Sequence, residues 1–367
     1  MTKIARNILK ALLILIGAAL IVVLVYSLYV ILSYSRIPDE TVLDINNNQT
    51  KTLSSGLEYT AVTYNVGFGA YNKEYSFFLD EADWKDGTHT KGKYGKAISR
   101  DAVISNVESQ AAVLRDIAAD FILLQEVDSD STRSYHINMA TYFQETFPFM
   151  NSIFAIQYHS PWLNMPLFDP HGIANAGLLT LSRFKVDTAE RISYPVASDF
   201  SKLFDLDRCF SVERIPVEGG KTLVLINSHM SAYDEGGIIR AQQLEKLNTL
   251  ISDEYNKGNW VIVGGDFNHT LGKEYLEAYP SLQSVPLWAN VLDESVLPPH
   301  FSIVKPENGM EESTCRSADS PYIEGVNYTT IVDGFIVSDN VEAKATIYHT
   351  GYEESDHQPV VLSFTLL

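Results

Sequence analysis

Cysteine is scarce in this chain: there are two in 367 residues, Cys209 and Cys315. So few thiols cannot staple a chain of this size, which excludes a disulfide-built scaffold. A pair and two buried thiols are both compatible with the count. Basic residues are also in short supply, 27 Lys and Arg against 46 Asp and Glu, giving a formal charge of −19. Residues 1–36 hold four basic and no acidic side chains, so the remainder carries −19 − 4 = −23. Non-specific binding to long nucleic acid rests on Lys and Arg displacing phosphate counterions, so such a partner is disfavoured, although a local basic pocket remains open. Internal repeats and low-complexity tracts are missing too. With 46% hydrophobic and 20% charged content, the chain is neither disordered nor fibrous. Length alone allows two ordinary domains, or one large α/β domain with an attachment.

The attachment is plain. Residues 11–33 (ALLILIGAALIVVLVYSLYVILS) run without a charge, and a helix of that length extends about 35 Å, enough for a hydrocarbon layer of about 30 Å. Lys3, Arg6 and Lys10 precede it with no acidic residue, so the positive-inside tendency predicts a cytoplasmic N-terminus. A single-pass anchor at the cell membrane with an extracytoplasmic body follows. A cleaved signal is the alternative, but signal cores usually run about 7–15 residues, and no small-x-small site follows before Arg36. The expected organisation is an N-terminus and anchor over 1–36, a polar, turn-rich tether over 37–57, and a folded body over 58–367.

Within the body, apolar runs of strand length recur at Tyr59–Val66, Phe121–Leu124, Leu178–Leu181, Leu223–Ile226, Trp260–Val263, Thr330–Val337 and Val360–Leu366. Helical stripes lie between them, one through Val103, Val107, Ala111, Leu114 and Ile117, another through Ile239, Leu244, Leu247 and Ile251. A hairpin is expected where Cys209–Val217 turns at Glu218-Gly219-Gly220 into Lys221–Asn227. This mixture predicts a layered α/β sandwich. Phe78–Arg100 is polar and reads as a solvated loop; Tyr135–Gly172 is rich in aromatics and reads as a satellite core under a long connection.

Several strand ends carry residues of catalytic type. Val261-Ile262-Val263-Gly264-Gly265-Asp266-Phe267-Asn268 delivers an Asp and an Asn two positions apart, after a glycine pair that lets backbone come close. Ser355-Asp356-His357-Gln358-Pro359-Val360 places a carboxylate and an imidazole at the mouth of the last strand. Asp suits a hard divalent cation, and His exchanges a proton near neutrality. Asp333 lies inside the apolar run Ile331–Val337, which is costly without a partner, and His357 is the natural candidate. Tyr64-Asn65, Gln125-Glu126 and Asn227-Ser228-His229 repeat the pattern. Taken singly, each is an ordinary polar strand end.

In this order, Asn65, Gln125-Glu126, Asn227-x-His229, Gly265-Asp266-Phe267-Asn268, Asp333 and Ser355-Asp356-His357 resemble the motifs of the endonuclease/exonuclease/phosphatase superfamily, which includes DNase I-like nucleases, sphingomyelinases and inositol phosphate phosphatases. The resemblance covers nearly all of 58–367. Because Asn65 and His357 would then share one site, it favours a single body over two domains. It implies a four-layered α/β sandwich and Mg2+-dependent phosphoester hydrolysis, with Mn2+ as an alternative ion. It implies that Glu126 is the principal metal carboxylate, with Asn65 and Asp356 in the metal and phosphate shell. Asp266 and Asn268 would position the water or phosphoryl group, His357 and Asp333 would form an acid/base pair, and His229 would donate to the phosphoryl oxygens. Whether His357 or Asp266 takes the water's proton stays open.

The positions Asn268-His269-Thr270 and Val332-Asp333-Gly334 depart from the inositol polyphosphate 5-phosphatase pattern. The acidic body opposes a DNase I-like role. A lipid phosphodiesterase suits an enzyme tethered beside a bilayer, with the Trp162–Phe168 stretch dipping into the interface. A nuclease or phosphomonoesterase is the alternative, and a non-catalytic surface module a third.

Overall fold

The computed structural model describes residues 2–197, 202, 207–232 and 237–367. Two large mixed sheets stack face to face. One has seven strands in the order Glu40–Val42, Thr188–Ser193, Cys209–Pro216, Thr222–His229, Trp260–Asp266, Asp333–Ser338 and Phe301–Val304. The other has six, in the order Val341–Ile347, Val360–Leu366, Glu58–Asn65, Phe121–Asp128, Gly172–Ser182 and Asn151–Leu163. The expected hairpin forms, with Thr222–His229 antiparallel to Cys209–Pro216.

The two helical stripes become Arg100–Ile117 and Ile238–Asn256, each burying its apolar positions: Val103, Val107, Ala111 and Leu114 in the first, Leu244, Leu247 and Ile251 in the second. The first helix packs in a core with Val62, Ile122 and Leu124 of the six-stranded sheet. The second shares its core with the central strands of the other sheet. The result is helix, sheet, sheet, helix, the four-layered sandwich. Gly264 lies where the sheets meet: a Cβ there would stand 2.6 Å from Leu123 Cδ1 and from the Phe335 ring. At Gly265 a Cβ would stand 1.9 Å from Ser228 O, so the glycine pair lets this strand lie tight against its neighbour just before Asp266.

Two segments differ from the sequence expectation. Residues 37–57 do not hang free: Glu40–Val42 pairs with Thr188–Ser193 at the sheet edge, and Leu53 is fully buried beside Val217. The segment's few apolar residues find a home only in the folded sheet, which local polarity cannot show. Tyr135–Gly172 is no satellite core under a connection. It supplies the helix Met139–Thr146 and the 13-residue edge strand Asn151–Leu163. Register shifts in that strand break the alternation that would have marked it. Both cysteines are buried and unpaired.

Glu213 points to a testable property of the core. It is fully buried, and neither carboxyl oxygen meets a hydrogen-bond partner among the described residues. Burial pushes its carboxyl up to about 8. A carboxyl raised in the folded state holds its proton there, so its contribution is intact below the unfolded value of about 4.3 and is lost as pH rises. Melting temperature should therefore fall between pH 5 and pH 9, and Glu213→Gln should flatten that fall and melt higher at pH 9. Parallel curves for the two proteins would remove Glu213 as the cause.

Candidate active site

Three of the expected residues stand side by side across one sheet. His229 is in register with Asp266 on the parallel neighbour strand, and Asp266 with Asp333 on the antiparallel one. The other sheet brings Asn65 in register with Gln125. Because both sheets end at the same rim, the strand ends face each other across a cleft of about 1250 Å3 including its open mouth, lined by Glu126, His229, Asp266, Asn268, Asp356 and His357 among others.

Asp266 is the hub. Its Oδ2 accepts from Asn65 Nδ2 at 2.9 Å, with His229 Nε2 at 3.4 Å and His357 Nε2 at 3.8 Å, and its Oδ1 accepts from the Asn268 backbone N–H at 2.8 Å. Asn268 takes a positive φ of 49° to close this turn, which Asn tolerates better than most residues. Its side-chain amide donates to Met230 O at 2.9 Å. His357 Nδ1 donates to Asp333 Oδ2 at 2.8 Å, so its Nε2 faces Asp266. The last motif is tied to the first by Ser355 Oγ, which donates to Asn65 O at 2.8 Å.

Glu126 reaches the cleft through a break in its ladder. The register between Phe121–Asp128 and Gly172–Ser182 shifts between Leu124 and Val127, and Glu126 sits there at φ 55°. The bulge inserts an extra residue that the partner strand does not pair, and so re-aims its side chain. Gln125 turns inward, donating to Asn227 Oδ1 at 2.8 Å, while Glu126 is the one partly exposed residue of the strand. A left-handed non-glycine residue costs on the order of 1–3 kcal/mol, so the surrounding packing must enforce it.

Two histidines in this cleft are driven in opposite directions. Burial, and then the positive charges of Arg208, His357 and Arg133, hold His229 well below its ordinary value, so it is neutral at pH 7. With the Gln157 amide donating to its Nδ1 at 2.9 Å, its proton lies on Nε2, toward Asp266. For His357, burial works against the charged ring, but Asp333, Cys315, Asp356 and Asp266 outweigh it and raise the ring well above the usual value. Burial, with Asp333 adding, pushes Asp266 up to about 7. Burial also pushes Asp356 up to about 6; Glu126 adds to this, while His357 and Arg316 oppose it.

Four carboxylates, Glu126, Asp266, Asp333 and Asp356, thus crowd one largely buried place. This oxygen-rich, over-negative donor set suits a hard divalent cation. Asp266, Asp333 and His357 bring one ligand-type atom each within 4.8 Å of one another, yet His357 and Asp333 already satisfy each other there. Glu126 and Asp356 are the more available oxygens. Asn65 Oδ1 accepts from Gly67 N–H at 3.0 Å, with its amide N–H toward Asp266 at 2.9 Å and Glu126 at 3.5 Å.

A family model described as the Endonuclease/Exonuclease/phosphatase family matches residues 62–357. The chain belongs to this family. The chain is similar in fold to truncated TDP2 from Caenorhabditis elegans, at 14% identity over 85% of this chain and 98% of that one, with a TM-score of 0.50. It is likewise similar to an endonuclease/exonuclease/phosphatase from Beutenbergia cavernae, at 15% identity over 84% and 72%, TM-score 0.52. A third is TDP2 from D. rerio, solved with a single-strand DNA product, at 14% identity over 84% and 99%, TM-score 0.52. No curated protein matches the sequence. Family members of this kind are phosphoester hydrolases that generally depend on a divalent metal, and the carboxylate-rich cleft is in keeping with that.

Sequence reasoning missed part of this family member's cleft. Gln157, which orients His229, comes from the strand hidden in the aromatic stretch. Arg133, Arg208 and Arg316 line the cleft and give an acidic body a local positive wall. Arg133 is fixed by Asp128, with Nη2 to Oδ1 at 2.8 Å, and lies 3.9 Å over the Phe68 ring. Phe78, Leu79 and Asp80 also line it, so the start of the expected solvated loop is a cleft wall. No sequence spacing marks these residues, because their roles arise from tertiary neighbours.

Proposed function

We propose that this protein is a membrane-anchored, divalent-metal-dependent phosphodiesterase acting on lipid head groups. The observation that carries the hydrolytic part is the convergence of Asn65, His229 and His357 on one Asp266 oxygen, beside Glu126 and Asp356. The lipid part is supported by the apolar N-terminal helix, long enough to cross a membrane, and by a cleft that mixes arginines with Phe68, Tyr71, Phe77, Phe78 and Trp288.

Water attacks phosphorus opposite the leaving alkoxide. Asp266, poised near neutrality, takes the water's proton, and Asn65 and Asn268 hold its two oxygens in place. As the P–O bond breaks, the His357 imidazolium gives its proton to the leaving oxygen, with Asp333 fixing its tautomer. Neutral His229 donates its Nε2–H to a non-bridging oxygen where charge accumulates. Glu126 and Asp356 would hold the metal, Mg2+ or Mn2+, which when bound draws negative charge from the phosphoryl group.

The test is a released-product assay on the purified full-length chain, with sphingomyelin, phosphatidylcholine, single-stranded DNA and soluble phosphate esters run in parallel. Preferred cleavage of a lipid supports the reading. Preferred cleavage of DNA or of a monoester replaces its substrate, and no cleavage of any leaves a surface module.

A further inference from the structure

The anchor helix does not simply end near the body; it grips it. Along Lys3–Ser33 only Val30 is buried, and the hydrogen bonds from the helix to the body begin at Tyr26. There the Tyr26 hydroxyl donates to Trp162 O at 3.1 Å and accepts from Asn164 N–H at 2.8 Å. The Tyr29 hydroxyl accepts from Trp162 N–H at 3.2 Å. A hydrocarbon core of about 30 Å takes about 20 helical residues. Counted from Arg6 or from Lys10, that length ends close to Tyr26 or Tyr29, where tyrosines favour the headgroup level. With this helix seated in a bilayer, the backbone clasped by these hydroxyls would lie at the membrane surface.

The clasped loop is pinned on its other side as well. Gly95 N–H donates to Asp169 Oδ2 at 3.1 Å, His171 N–H to Met165 O at 2.8 Å, and His171 Nδ1 to Gly95 O at 2.7 Å. A Cβ on Gly95 would lie 2.2 Å from Asp169 O, so only glycine permits this approach. Held from both sides, the loop presents Leu167 and Phe168 at its tip, 66% and 96% exposed. Large apolar side chains this bare on a fixed loop need a cover. Leu163 and Met165, from the same loop, line the catalytic cleft.

We propose that the Trp162–Phe168 loop is a membrane-docking element, clamped to the anchor helix by Tyr26 and Tyr29, that seats Leu167 and Phe168 in a phospholipid bilayer and sets the mouth of the cleft against that surface. Docking deepens the function proposed above and rests on it for the membrane anchor and for the nature of the substrate. The loop needs no rearrangement on arrival, so little ordering opposes insertion.

The test places a nitroxide at Phe168→Cys in the full-length chain, reconstituted into phosphatidylcholine nanodiscs; the two native cysteines are buried. Collisions with oxygen should exceed those with a water-soluble nickel chelate at 168, and the reverse should hold at a control label on exposed Lys221→Cys. Dominance of the nickel chelate at 168, or shielding from both reagents as a protein partner would give, overturns the proposal. A second arm compares Leu167→Asp/Phe168→Asp with wild type. Hydrolysis of vesicle lipid should fall tenfold or more while hydrolysis of bis(p-nitrophenyl) phosphate is unchanged, and an equal loss on both substrates counts against docking. If the label is lipid-exposed but the wild type cleaves no lipid, docking stands and the substrate reading fails. If the label is water-exposed while lipid is cleaved, the converse holds.

Discussion

Turnover by His357→Ala should fall by about 10²–10⁴-fold, the usual contribution of one positioned acid or base. The ring donates to Asp333 at 2.8 Å and sits 3.8 Å from Asp266, so its loss removes the proton donor for the leaving oxygen. It also leaves Asp333 buried with both oxygens short of partners, since Oδ1 already lacks one among the described residues. A stability cost on the order of 1–3 kcal/mol follows, and a melt measured beside the assay separates it from the catalytic loss. The pH profile gives an independent readout. In wild type, rate should rise as Asp266 loses its proton, around or below its metal-free value of about 7, and fall at higher pH as His357 deprotonates. In the variant the alkaline fall should vanish. Near-wild-type turnover, or a variant profile that keeps the alkaline limb, would defeat the assignment.

Chelation should have an effect at least as large. EDTA is expected to abolish phosphodiester cleavage and Mg2+ or Mn2+ to restore it, because the buried carboxylates otherwise repel the phosphate. Glu126→Gln keeps the volume and removes the charge, so the Mg2+ concentration for half-maximal rate should rise by at least the roughly 10–100-fold that losing even a group supporting a metal ligand costs. The His357→Ala protein should titrate with Mg2+ much as wild type does, which tells loss of the proton donor from loss of the ion. An unchanged Mg2+ titration in Glu126→Gln would take that residue out of the metal site. Full activity in EDTA would take the metal out of the mechanism.

Much of this site was legible in the sequence because it is built from strand ends. An apolar run stopping at a polar residue reports where a sheet meets the cleft, and Asn65, His229 and Asp266 arrive that way, while Asp333 opens its strand and His357 stands just before the last one. The rest was not legible, because its cause is not local. Glu126 is aimed by a bulge whose extra residue is counted only against the partner strand. Gln157 matters because the edge strand Asn151–Leu163 lies where its amide meets His229. The orientation of the Asn65 amide, set by Gly67 N–H and aimed at Asp266, is likewise fixed by neighbours that no local pattern announces. The layered fold was readable from helical stripes alternating with apolar runs, but the thirteen-residue strand was masked by its own irregular register.

The stitching of residues 37–57 onto the body decides where a soluble version of this protein should begin. A chain starting near Glu58 would strip Glu40–Val42 from Thr188–Ser193 and empty the slot filled by Leu53, baring unpaired backbone along a sheet margin that invites self-association. Trimming just after the apolar N-terminal helix, close to Ile37, keeps that margin covered.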